Sequence, residues 1–190
     1  MAINTDQVLI SHSEIEQMLD KVSAELNRDY AGKPLVVVGI LTGAFIFTAD
    51  LVRRLDMPVI VDFMQVSSYV GQFSTGELKI KKDMSYDIKD MNVLIVEDII
   101  DTGRTLALLK EQLLQRGPKS LKICTAFDKP SRRVNDLVPD YNGITIPDEF
   151  IVGYGLDLDG KYRDFDDVRI VRKELEKCQI RIRVRRVLNR

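Results

Sequence analysis

Four consecutive aliphatic residues, Val93-Leu94-Ile95-Val96, stop abruptly at two adjacent acids, Glu97 and Asp98. The run is too short for a helix and apolar on both faces, which describes a parallel strand covered on both sides. Beyond Ile99 and Ile100 a third acid, Asp101, opens the turn Thr102-Gly103-Arg104-Thr105. Leu106-Ala107-Leu108-Leu109 then starts a helical pattern that Leu113 and Leu114 continue. Strand, acidic tip, small-residue loop and helix start place an anion site at the carboxyl edge of an open α/β sheet. Successive backbone N–H groups and the Thr102 and Thr105 hydroxyls can point at a phosphate, and Gly103 lets the backbone come close. The preceding carboxylates would repel that phosphate unless they grip sugar hydroxyls or hold a divalent cation through water. The block therefore reads as a site for a phosphorylated sugar. It contains neither the G-x-x-x-x-G-K-[ST] loop nor the G-x-G-x-x-G fingerprint.

The rest of the chain repeats the same alternation. Ser11 to Glu14 reads as a capping box, followed by Ile15, Met18, Leu19, Val22 and Leu26 at helical spacing to about Tyr30. Leu35 to Leu41 is a buried strand ending at Thr42-Gly43, and a helix with Phe45, Ala49, Leu51, Val52 and Leu55 on its apolar side follows from Ala44. Val59 to Met64 and Leu121 to Phe127 are further strands, and Gly117-Pro118 stops the helix between the second pair. This rhythm predicts right-handed parallel crossovers, hence an α/β fold with an open, twisted, mostly parallel sheet flanked by helices. Sheet logic alone puts Lys129 at the same carboxyl edge as Thr42, Glu97 and Asp98.

Two segments break the rhythm. Ser67 to Lys82 is polar, with two glycines, and reads as a long loop whose Lys79-Ile80-Lys81-Lys82 end is the returning arm of a hairpin. Tyr141 to Arg163 reads as short extended pieces, Ile144 to Pro147 and Phe150 to Tyr154, and a turn at Asp157 to Gly160. Val168 to Val171 adds a last short strand. Together with the N-terminal residues these pieces are expected to form a small hood over the carboxyl edge. The expectation is one domain, with a core over about 34–140 and a hood over about 1–12 and 141–175. The basic tail 176–190, where Ile180, Ile182 and Val184 alternate with arginines, stays unassigned.

A chain of 190 residues with 45% hydrophobic and 30% charged residues describes an ordinary soluble globule. A net charge of −1 offers no global basic field for nucleic acid. Nothing resembles an 18-residue apolar span, and the first residues lack the basic and apolar regions of a signal peptide. Cys124 and Cys178 have no metal spacing and are expected as reduced thiols in the cytoplasm. His12, the one histidine, sits at a helix entry, so acid–base work falls to carboxylates or lysine.

The string Val93 to Thr105, VLIVEDIIDTGRT, resembles the phosphoribosyl-pyrophosphate signature of the type I phosphoribosyltransferases, and its wording resembles the hypoxanthine-guanine branch. The resemblance covers roughly Val36 to Val171. It implies transfer of a 5-phosphoribosyl group from phosphoribosyl pyrophosphate to N9 of hypoxanthine or guanine, giving the nucleoside monophosphate and pyrophosphate in purine salvage. It further implies that Asp101 to Thr105, including Arg104, cradle the 5-phosphate beside Ile99 and Ile100. Glu97 and Asp98 would hold the ribose hydroxyls and, with Asp157, magnesium. Asp101 matches the family's general base or acid, Lys129 the donor to the 6-oxo group, and Phe150 the aromatic that stacks on the purine. Ile151 would offer backbone contacts to the base, and Arg163 would contact pyrophosphate. The flap that closes over the site in the family corresponds to the polar loop containing Ser68 and Tyr69, where it would keep water from a reactive ribosyl cation. Family members are typically dimers or tetramers.

One position departs from the branch. Leu41-Thr42-Gly43 stands where Leu-Lys-Gly is common, in a loop that holds pyrophosphate largely through backbone N–H groups, often around a cis peptide. Activity is therefore expected to persist with altered pyrophosphate affinity. The alternatives are an enzyme of the same fold acting mainly on xanthine or another base, and a non-catalytic RNA-binding regulator. Adenine is disfavoured because its amino group would face the Lys129 donor, and the regulator would need a basic face.

Overall fold

Alternation of buried side chains to two faces builds the core. The computed structural model describes residues 2–68 and 78–174. Two short strands, β1 (Ala2–Asn4) and β2 (Val8–Ile10), precede helix α1 (His12–Asp29). Strand β3 (Leu35–Leu41), helix α2 (Phe45–Val52) and strands β4 (Val59–Ser68) and β5 (Leu78–Lys82) follow. Next come β6 (Asn92–Ile100), α3 (Arg104–Leu114), β7 (Ser120–Asp128) and β8 (Tyr141–Thr145). The chain then adds β9 (Ile151–Val152), β10 (Val168–Ile170) and β11 (Arg172–Glu174).

The main sheet has six strands in the order β5-β4-β3-β6-β7-β8, all parallel except β5. Val37, Leu94, Val96, Cys124 and Ala126 face α1 and α2, while Val36, Val38, Val93, Ile95 and Ile123 face α3. Neighbouring residues thus go to opposite faces, and both faces are covered, which is why these strands are apolar throughout. The capping box forms as the sequence implies: the Ser11 backbone N–H donates to the Glu14 carboxylate at 2.8 Å, and Glu14 N–H donates to Ser11 Oγ at 3.3 Å.

The described hood comprises β1 paired with β11 and the small sheet β2-β10-β9. Its buried Ile151, Tyr154, Leu156, Val168 and Ile170 join the core on the α1/α2 face. The expected boundary at 141 needs correction. Tyr141–Thr145 pairs in parallel with β7 and is the edge strand of the main sheet. Its connection from β7 carries only a 3-10 turn, Pro130–Arg132, so the helical crossover that marks the other parallel pairs is missing. Gly143 lies directly on the Ala126 carbonyl, where a Cβ would not fit. The helix expected through Leu55 ends at Val52, because the chain turns there, with Arg54 N–H donating to the Leu51 carbonyl at 2.9 Å.

Both described ends of the segment expected as a polar loop from Ser67 are strand. Ser67 and Ser68 extend β4 and pair with Lys79 and Leu78 of β5, so the returning arm is a strand as anticipated. Tyr69 and the basic tail 176–190 lie outside the described residues.

Leu94 is fully buried between α1 and the neighbouring strands. Leu94→Ala should lower the unfolding free energy by about 2–5 kcal/mol, read from urea denaturation; a change below about 0.5 kcal/mol would contradict a packed centre there.

Candidate active site

Strand β3 stays paired with β6 only from Leu35–Asn92 to Gly39–Val96, whereas it continues alongside β4 as far as Leu41–Gln65. The two central strands therefore part just before Glu97. Because β3 connects towards β4 and β6 towards β7, on opposite sides, this gap is the topological switch point where open α/β sheets bind ligands. A cavity of about 360 Å³ opens there. Its lining includes Thr42 and Gly43 from the β3–α2 loop, Glu97 to Gly103 and Thr105 from the β6–α3 segment, and Asp157 and Arg163 from the hood.

The β3–α2 loop carries a cis peptide between Leu41 and Thr42. Gly43 lies against the Asp98 carboxylate so closely that a Cβ would overlap it. Across the crevice, Gly103 adopts φ +77° at the N-cap of α3 and offers no side-chain cap of its own, while Arg104 N–H donates to Thr102 Oγ1 at 3.5 Å. Amides of a helix's first turn carry partial positive charge, and Gly103 and Thr105 at this helix start line the cavity. This is the local basis of an anion cradle.

Glu97 and Asp98 are adjacent carboxylates at the floor. Burial pushes both above their ordinary values, and for Glu97 the neighbouring Asp98 charge adds to the rise. Burial and mutual repulsion both oppose a doubly charged pair. Asp157 stands apart from this pair: its carboxylate accepts from the Arg163 guanidinium at 2.7 Å and from Gly160 N–H at 2.7 Å. Among the described residues no three His, Cys, Asp or Glu side chains form a metal-binding group. Glu97 and Asp98 do suit magnesium, which keeps several waters and takes one or two protein carboxylates; the expected third carboxylate is engaged by arginine.

Asp101 occupies the turn before Gly103. Arg132 Nε donates to its carboxylate at 3.0 Å, and Arg133 Nη1 donates to its main-chain carbonyl at 2.7 Å. Arg133 also pairs with the buried Asp128 at the tip of β7, and its side chain packs against Gly103 beside Asn135. Lys129 follows at once, its N–H donating to the Ile100 carbonyl at 3.0 Å and its Nζ to the Glu149 carbonyl at 2.6 Å. The β7 tip therefore backs the whole phosphate-loop turn.

The structure brings together Thr42, Gly43, Glu97 to Gly103, Thr105, Asp157 and Arg163 around one cavity. Arg104 is exposed and is not among the residues that line the cavity. Lys129, Phe150 and Ile151 do not line this cavity: Lys129 and Ile151 are buried beside it, and Phe150 is 55% exposed on the hood. Lys129 lies beside the Asp101 turn through its N–H on the Ile100 carbonyl, and its Nζ reaches the carbonyl of Glu149, the residue before Phe150. Ser68 ends β4. Sequence reading missed the roles of Arg132, Arg133 and Asn135. Their one available signal was a pair of arginines a few residues beyond a strand tip. His12 is exposed with Nδ1 3.3 Å from the Asp166 carbonyl, and burial pushes the Cys124 thiol up, so neither serves the site.

These features define a phosphoribosyltransferase: a model of the phosphoribosyl transferase domain matches residues 5–159, and the chain belongs to that family. Among curated relatives it is similar to the hypoxanthine-guanine phosphoribosyltransferase of Streptococcus pneumoniae, with 46% identity over 170 residues, 89% of this chain and 94% of that one. The hypoxanthine-guanine phosphoribosyltransferase of Bacillus anthracis superposes with a TM-score of 0.85 at 41% identity, covering 90% of this chain and all of the other. A hypoxanthine phosphoribosyltransferase from Staphylococcus aureus gives a TM-score of 0.85 at 45% identity over 88% and 92% of the two chains. The fold is that of the type I enzymes.

Because the Glu97 carboxyl holds its proton more tightly in the folded state, its favourable contribution is complete below the ordinary value of 4.5 and is lost as pH rises through the raised value. Ligand-free Glu97→Gln should therefore melt higher than wild type at pH 8, and the difference should shrink towards pH 4. A variant melting no higher at pH 8 would contradict the strained acid pair.

Proposed function

We propose that this chain transfers the 5-phosphoribosyl group of phosphoribosyl pyrophosphate to N9 of hypoxanthine or guanine, releasing pyrophosphate. The observation that carries this reading is the cavity itself. It joins a backbone anion cradle at Asp101 to Thr105, an acid pair at Glu97 and Asp98, and a second backbone loop at Thr42-Gly43. Those three parts suit the 5-phosphate, the ribose hydroxyls and the diphosphate of one substrate. The 46% identity to a curated hypoxanthine-guanine enzyme supports the base assignment.

Among the described residues the lining carries Glu97, Asp98, Asp101 and Asp157 against Arg163 alone. An anionic diphosphate entering such a site needs countercharge, which supports magnesium as the partner held by Glu97 and Asp98. Bound there, magnesium would neutralise charge developing on the leaving pyrophosphate. The chain's own groups supply the rest. Backbone amides fix the phosphate and diphosphate ends so that the ribose lies between them. The acid side chains face the sugar, where positive charge grows as the glycosidic bond breaks.

Asp101 lies between the phosphate turn and the Lys129 region, and its carboxylate can take or return the proton on the imidazole ring of the base. In the ligand-free state Arg132 holds that carboxylate, so the base must displace or share this contact. Lys129 Nζ, now donating to the Glu149 carbonyl, suits a 6-oxo acceptor, and Phe150 offers its exposed ring for stacking. A homodimer or homotetramer and a cytoplasmic location accord with the relatives' family; no helix of the described residues is long and apolar enough to cross a membrane.

The test is a panel of hypoxanthine, guanine, xanthine and adenine with phosphoribosyl pyrophosphate and magnesium, following nucleotide formation. Turnover of hypoxanthine or guanine is expected, and its absence would overturn the assignment. Asp101→Ala should reduce turnover of the preferred base by at least ~100-fold, as loss of an acid–base group does. Unchanged turnover would remove that role.

Thr42 supplies the exposed side chain of a loop whose anion contacts come from the backbone. Thr42→Lys adds a cation without altering the cradle and should tighten product inhibition by pyrophosphate while kcat stays within about twofold. Equal pyrophosphate inhibition in the two proteins would count against placing the diphosphate there.

A further inference from the structure

The diphosphate loop is not held by its own strand and helix alone. On one side Gly43 abuts the Asp98 carboxylate; on the other Gly155 of the hood lies on the Gly43 carbonyl, where a Cβ would not fit. Gly155 has φ +96°, so a side chain there would be disfavoured both by space and by backbone conformation. Arg163 fixes the same glycine from the hood: its Nη1 donates to the Gly155 carbonyl at 2.5 Å, and Gly155 N–H donates to the Arg163 carbonyl at 3.0 Å.

One residue earlier, Tyr154 reaches across to the helix that leaves the diphosphate loop. Its hydroxyl donates to the Asp50 carboxylate of α2 at 2.9 Å. The ring is 4% exposed and meets Phe127 edge-on with centroids 6.3 Å apart, and Tyr154 N–H donates to the Phe165 carbonyl at 2.9 Å. Asp50 is in turn paired with Arg53, the C-cap of α2. Hood and loop are thus joined twice, by the backbone contact at Gly155–Gly43 and by the side-chain link between Tyr154 and Asp50.

We infer that Tyr154 and Asp50 are positioning residues for the diphosphate end of the substrate, acting through the seat of Gly155 on Gly43. The inference rests on the assignment of the Thr42-Gly43 loop to the diphosphate. Neither side chain lines the cavity, so neither touches substrate. Without the tether, Gly155 loses its fixed distance from α2, and the loop amides lose the support that holds them towards the cavity. The base region is anchored separately, by Ile151–Ile170 pairing and by Lys129 on Ile100. The effect should therefore fall on one substrate.

Tyr154→Phe removes the hydroxyl and keeps the ring in its packing. Its KM for phosphoribosyl pyrophosphate and its inhibition constant for pyrophosphate should each rise about 3- to 10-fold, the range of one lost hydrogen bond. The KM for the base should stay within about twofold. Asp50→Ala should repeat the pattern, and the double variant should be no worse than the weaker single one, as expected of two ends of one link. Direct titration of wild type and Tyr154→Phe with magnesium pyrophosphate supplies a readout that needs no turnover. Pyrophosphate binding equal in both proteins would overturn the inference, as would an equal rise in KM for both substrates. Wild-type protein that binds pyrophosphate yet forms no nucleotide would instead sink the reaction assigned above, while the binding comparison still decides the tether.

Discussion

The site depends on the parting of two strands. β3 and β6 run side by side up to Gly39 and Val96 and then diverge, and every group proposed to meet substrate lies on the chain beyond that point or on the hood above it. Parallel strands direct their carboxyl ends the same way, so the β3–α2 loop and the β6–α3 loop emerge together. Opposite crossovers then carry α2 and α3 to different faces of the sheet, leaving a crevice that neither helix covers. The two hydrophobic layers beneath make this crevice a fixed one. Val37, Leu94 and Val96 are locked on one face, and Val36, Val93 and Ile95 on the other. A slip of one residue in β6 would exchange the two sets and place Glu97 in a helix-covered layer.

The central strands were legible in the sequence because burial on both faces writes itself as an unbroken apolar run. Val93 to Val96 and Leu35 to Leu41 need no partner information to be recognised. β8 was not legible for the opposite reason. Tyr141-Asn142-Gly143-Ile144-Thr145 is mostly half-buried, contains a glycine seated on a neighbouring carbonyl, and follows a connection without a helix. The phosphate loop could be read because glycine, hydroxyls and acids at a strand-to-helix turn have a local chemical logic. The contacts of Arg132, Arg133 and Asn135 could not, since they depend on how the 3-10 turn brings a distant segment beneath Asp101. Asp157 shows the same limit: sequence places it in a turn, and only the fold pairs it with Arg163.

The acid pair sets function against stability. Glu97 and Asp98 are adjacent half-buried carboxylates on the cavity wall; burial opposes ionising either, and the Asp98 charge adds to the cost for Glu97. An apolar or amide pair would sit there more comfortably. A ligand that brings hydroxyl donors or positive charge to the two acids, as the proposed sugar and its cation would, turns this strain in the ligand-free chain into affinity. Arg132 on Asp101 and Arg163 on Asp157 play the complementary part at the rim, pairing acids that would otherwise add to the negative field. The Arg132–Asp101 pair is nearly half exposed, so exchanging it for substrate contacts costs little; the Arg163–Asp157 pair is more enclosed.

Backbone and side chain divide the work unequally, and that division determines which positions can vary. The two anion loops present main-chain amides, so what they require of sequence is mostly the absence of a Cβ. Gly43 has no room beside Asp98, Gly103 none beside Asn135 and Arg133, and Gly155 none against Gly43. A larger residue would push against the Asp98 side chain at Gly43, against Asn135 and Arg133 at Gly103, and against the Gly43 main chain at Gly155. Thr42 is different, because its side chain is exposed and leaves the peptide geometry untouched; lysine or threonine there adjusts charge around an unchanged cradle. The base end reverses the rule. Lys129 and Phe150 would act through their side chains, so base preference can shift by substitution there while the sugar-phosphate machinery stays intact. A fold with one rigid backbone-built end and one side-chain-built end can thus keep its phosphoribosyl donor while its acceptor changes.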